Sequence, residues 1–258
     1  MKRFIILTTI AFSIGASALK TIDESGSGIC SGAGPVDFPP DELFLEEEIV
    51  TVESVFAPKG FDAGDRLEII ASVWTPTPNY TDPKGYVERV GNDIKITVKA
   101  KRRTSRNHLN IDMAMHHLIS IPVPAVPAGD YNVYVNTETA SPQFAKMEIA
   151  PPMNASIDDF LYPVVKYVEV NAKTRDVELV VENPNSCYVL DRIISTSNGV
   201  NTYALMPIMR KKEGFCTQAL TTVKYFYKLP HDLHASRLLV HVRTLDGNSK
   251  NEMFEPKD

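Results

Sequence analysis

Apolar and polar residues alternate strictly along much of this chain. Leu67, Ile69, Ala71 and Val73 take every second position, as do Ile94, Ile96 and Val98, and then Tyr131, Val133 and Val135. A period of two places such side chains on one face of a strand and predicts half-buried antiparallel strands. Turn signals separate the runs: Pro58-Lys-Gly60, Pro83-Lys-Gly85, Gly91-Asn-Asp93 and Pro127-Ala-Gly129. In residues 109–121 one face carries Leu109, Ile111, Met113, Met115, His117, Ile119 and Ile121, and the other Asp112, His116 and Ser120. No long helical period occurs.

The plan repeats. Asp65-Arg-Leu-Glu-Ile-Ile70 matches Arg175-Asp-Val-Glu-Leu-Val180, residues 94–103 match residues 201–212, and residues 128–135 match residues 235–242, in the same order. Two tandem copies of one all-β unit account for this. Each copy has about 95 residues and some seven short strands, the size of an immunoglobulin-like sandwich. Residues 50–137 resemble the Ig-like β-sandwich modules of exported bacterial proteins. The resemblance rests on Gly91-Asn-Asp-Ile-Lys-Ile-Thr-Val98 and Pro127-Ala-Gly-Asp-Tyr-Asn-Val-Tyr-Val135. It implies a fold and little about function. The expected organisation is domain 1 over residues 49–150, a linker over 151–159 and domain 2 over 160–258.

The first 18 residues read as a signal peptide. Lys2 and Arg3 precede an apolar run, and Ala16-Ser17-Ala18 supplies the small residues of a cleavage site. The run is too short to span a bilayer, so a mature chain in the periplasm or outside the cell, without a transmembrane span, is expected. Residues 19–48 read as a flexible arm, rich in Gly, Ser and Pro towards its start.

Charge sharpens this picture. The chain carries 27 basic and 32 acidic residues, a net charge of −5. The arm holds eight of the acids and one lysine, so residues 49–258 balance at 24 and 24. The opposite feature is a basic run of Lys99, Lys101, Arg102, Arg103 and Arg106, echoed by Arg210-Lys-Lys212. Such a run either keeps a strand edge from pairing or is an anion-binding edge for an acidic envelope glycan, a lipid headgroup or a partner's acidic segment. The chain's own Glu46-Glu-Glu48 could also occupy it. An acidic, exported chain does not point to nucleic acid. Trp74, the only tryptophan, falls off the core face and is a second candidate contact.

Catalytic signals are weak. No phosphate-binding loop, dinucleotide fingerprint or zinc-protease motif occurs. Asp112, His116 and Ser120 share a strand face, but neighbours in that set stand about 13 Å apart, too far for a triad. His231, His234 and His241 form a weak metal alternative without diagnostic spacing. Cys30 sits in Gly28-Ile-Cys-Ser-Gly32 without the strand and helix a nucleophile elbow needs. Cys187 and Cys216 are expected to pair as a disulfide. The reading is a non-catalytic, cofactor-free binding or scaffolding protein, with self-association as the rival and an exported metalloenzyme behind it.

Overall fold

The structure, a computed structural model, describes residues 44–104, 113–233 and 236–255. The expected signal peptide, most of the arm, Cys30, Arg106 and His234 lie outside the described residues. All described residues belong to one compact unit, residues 41–258.

The chain is all-β. Its first half forms β1 (Phe44–Ile49), β2 (Thr51–Phe56), β3 (Phe61–Asp62), β4 (Glu68–Thr75), β5 (Tyr80–Val90), β6 (Asp93–Thr104), β7 (Met115–Pro122), β8 (Gly129–Val135) and β9 (Gln143–Ala150). Its second half forms β10 (Val164–Val170), β11 (Asp176–Asn183), β12 (Tyr188–Ser197), β13 (Thr202–Lys211), β14 (Thr221–Lys228), β15 (Leu238–Arg243) and β16 (Ser249–Phe254). A 3-10 turn at Leu245–Gly247 is the only helical element among the described residues. No helix among them is long and apolar enough to cross a membrane.

Both halves use one strand order. Sheet β2-β4-β7 faces sheet β5-β6-β8-β9 across a core that includes Ile69, Ala71, Val73, Ile94, Ile96, Val98, Val133 and Val135. Sheet β10-β11-β14 likewise packs on β12-β13-β15-β16 around Val177, Leu179, Val181, Leu205, Val240 and Val242. The three sequence matches fall on equivalent strands: β4 with β11, β6 with β13, and β8 with β15.

Four features differ from the sequence expectations. β6 pairs β8 in parallel, and β13 pairs β15 in parallel, where antiparallel neighbours were expected. In an immunoglobulin sandwich the third strand, not the fourth, lies beside the sixth. The apolar member of each hairpin takes the central place here. β6 buries Ile94, Ile96, Val98 and Ala100, whereas β5 carries Pro83, which cannot donate to a ladder and belongs at an edge. Secondly, Pro83-Lys-Gly85 is no turn. It sits inside β5 at a register shift between Thr81 and Lys84, with Asp82 at φ 55°. Gly91-Asn-Asp93 does close the β5–β6 hairpin, with Gly91 at φ 63°. Thirdly, residues 44–48, expected to be flexible, form most of β1. Lastly, a short parallel rung joins Phe61 and Asp62 of β3 to β9.

Candidate functional site

β6 has two partners along one edge. β8 pairs only with Asp93 to Ile96, and β1 pairs antiparallel with Lys99 to Thr104. The handover is built by Asn136, at φ 52° just past the end of β8. Its backbone N–H donates to Ile96 O (2.9 Å), its Oδ1 accepts from Val98 N (2.8 Å), and its Nδ2 donates to Val50 O (2.8 Å). Val50 N then donates to Val98 O (3.1 Å), and β1 continues outward. Without β1, the last six positions of β6 would present bare backbone groups, the template that sheet edges normally hide.

The register sets acid against base. Glu46 pairs with Arg102, Glu47 with Lys101, and Glu48 with Ala100. On the inner face Arg102 donates to Glu48 Oε1 (2.9 Å) and the Tyr80 hydroxyl to Glu48 Oε2 (2.5 Å). These bonds, Tyr80 first and Arg102 second, hold the Glu48 carboxyl below its usual range. On the outer face the Tyr86 hydroxyl donates to Glu47 (2.8 Å), and Lys99 lies 5.7 Å from the Tyr86 ring centre. Lys101 lies 3.5 Å from Asp82, which also pairs with Lys84 at 2.7 Å. Arg103 is exposed opposite Leu45. The basic run is therefore largely engaged, and its principal occupant is the chain's own arm.

Trp74 lies on the outer face of β4, 38 % exposed, with its ring 5.1 Å from that of His116. Cross-strand pairing builds a cluster beside it that the sequence spacing did not show. Ser72 Oγ donates to Glu53 (2.9 Å) and lies 2.7 Å from His116 Nε2. Arg237, from the second half, reaches Glu53 (2.5 Å), Ser72 (3.3 Å) and His116 (3.3 Å). Serine, histidine and glutamate meet here, but the hydroxyl hydrogen goes to Glu53 and Ser72 is fully buried. A nucleophile needs its base as partner and an open face, so the cluster serves to tie the two halves. Ser120 instead bonds Glu68 (2.5 Å), and Asp112 lies outside the described residues.

Of the weak metal alternative, His234 lies outside the described residues, and His231 and His241 differ in setting. His231 is exposed, and its carbonyl accepts from Arg175 (3.3 Å). His241 is wholly buried, with Nδ1 2.7 Å from Asn251 Oδ1 and its ring 5.3 Å from Phe61. Among the described residues no three His, Cys, Asp or Glu side chains gather as a metal site. Cys187 and Cys216 are bonded, with Cα atoms 5.3 Å apart, tying the loop before β12 to the loop after β13.

A buried ion pair lies at the joint between the halves. Arg243, 1 % exposed at the end of β15, makes two bonds to Asp65 (2.5 and 2.7 Å) and one to Gly60 O (3.1 Å). The rings of Phe61 and Tyr162 lie 5.1 and 5.2 Å from its guanidinium. Burial pushes the Tyr162 hydroxyl up to about 12. Beside it opens a cavity of about 380 Å³, where Asp62 and Asp159 share a hydrogen bond. Burial, and then Asp159, push the Asp62 carboxyl up to about 6. Paired carboxyls across a cleft can do acid–base work, yet both groups are spoken for. Asp62 accepts from Gly64 N (2.8 Å), and Asp159 from Met153 and Asn154 N (3.1 and 3.2 Å).

No family model, curated protein or solved structure matches this chain.

Proposed function

We propose that the mature chain is an exported, non-catalytic binding or scaffolding protein of a bacterial envelope or secretome, built from two tandem β-sandwich domains. The single observation that carries this reading is the edge of β6, residues 99–104, which holds an acidic extended segment by backbone pairing and by donors from Arg102, Tyr80 and Tyr86. Main-chain pairing supplies affinity at such an edge, and flanking side chains select the sequence. The Ig-like resemblance supports the modular part of the reading, with the strand order described above as this protein's own variant.

The test uses residues 41–50 as a free fluorescent peptide and the mature chain, residues 19–258. Binding that weakens with salt, and that is lost when Lys101→Glu and Arg103→Glu reverse the edge, is expected. Binding that survives both reversals removes this edge from the account. Release of the first 18 residues is checked separately, by N-terminal sequencing of protein recovered from the producing cell.

A further inference from the structure

β1 is held differently from every other described strand. None of its described side chains joins a core cluster; the first core residue among the described residues is Val50. Leu45 is 56 % exposed and Ile49 41 %. The described contacts that hold β1 are its backbone ladder to β6, the half-buried bonds of Glu48 to Tyr80 and Arg102, and the exposed bond of Glu47 to Tyr86. The loss of β1 would remove none of the described residues of the core clusters.

The seat beneath it does not depend on β1. β6 is fixed by β5 along its other edge, and Tyr80 and Tyr86 come from β5. Asn136 and Val50 fix the first rung beyond β8. Moreover, β1 and β2 belong to different sheets and are joined by one residue, Val50. A very short connection between two elements favours exchange between molecules, because it is relaxed when the outer element leaves.

We propose that this seat is a strand-exchange site, at which residues 44–49 of a second copy of the chain replace the molecule's own β1. The inference rests on the binding reading above and names the partner of the same edge. The second copy fits because the seat matches this sequence: Glu46 opposite Arg102, Glu47 opposite Lys101, and Glu48 between Tyr80 and Arg102. Reciprocal exchange keeps every rung and ion pair in both molecules, so concentration sets the balance between monomer and dimer.

The test is a split cysteine pair in a Cys30→Ser background. One chain carries Glu47→Cys and the other Lys101→Cys; directly opposed antiparallel residues lie within disulfide reach. The chains are mixed at high concentration and oxidised, and heterodimers are counted by mass. The control replaces Lys101→Cys by Lys95→Cys, an exposed position outside the seat. Exchange predicts at least about tenfold more heterodimer than the control, because a seated strand raises the local thiol concentration far above that of random encounter. A chain carrying both Glu47→Cys and Lys101→Cys reports the register by closing on itself at low concentration.

If that chain closes but the split pair gives no more than the control, exchange between copies is overturned. In that case, specific binding of the free acidic peptide would leave the edge as a site for another protein's acidic segment. Failure of peptide binding as well would overturn both readings. A double-cysteine chain that does not close refutes the register on which the exchange depends.

Discussion

Arg243 shows how one residue can decide whether two halves behave as one body. A guanidinium at 1 % exposure is tolerable only with its charge matched, and Asp65 matches it through two short bonds. Removing one partner of a buried pair leaves an uncompensated charge. Asp65→Ala is therefore expected to cost about 3–5 kcal/mol of unfolding free energy, read from urea denaturation. Replacing both partners, Asp65→Leu with Arg243→Met, should cost clearly less than Asp65→Ala alone. Equal losses would mean that the pair's geometry, and not its charge balance, supports the joint. Neither partner stood out in the sequence, because a salt bridge 178 positions long leaves no local spacing to read.

At the scale of elements, local chemistry was legible and pairing was not. Period-two runs place Ile69, Ala71, Val73, Ile94, Ile96 and Val98 in the core because alternation is a property of each strand by itself. Pro83-Lys-Gly85 misled because turns and bulges draw on the same residues, and only the ladder on β6 distinguishes them. The exchange of places between β5 and β6, and the meeting of Ser72 with His116, depend on which strands become neighbours. Gly85 tests this element directly. A Cβ there would lie 2.7 Å from Ile121 of β7, where β5 folds over the facing sheet. Gly85→Val is expected to destabilise the first half by about 1–3 kcal/mol through overpacking, visible as an earlier urea transition. In the second half, Cys187→Ser with Cys216→Ser should cost about 2–4 kcal/mol by freeing the unfolded chain. An unchanged denaturation midpoint under oxidising conditions would show that this bridge does not form.

For the whole molecule, the joint carries two titrating groups that act against each other. Asp62 faces Asp159 and Asp65, and burial raises its carboxyl from 3.8 to about 6. The folded state thus holds a proton that the unfolded state releases. The resulting stability is full below about pH 4 and is lost as pH rises through about 6. His241 faces Glu68, Asn251, Arg243 and Phe61, and burial lowers it from 6.5 to about 4. Its contribution is present above 6.5 and is lost as pH falls through about 4. The two slopes oppose each other over the same interval and flatten the joint's response to acid. Asp62→Asn removes one of them. The variant's deficit relative to wild type should be largest near pH 4 and shrink as pH approaches 7, in urea midpoints taken across that range. His241→Gln should show the reverse trend, losing most ground near pH 7. Parallel pH profiles for both variants and wild type would mean that neither group changes its protonation on folding.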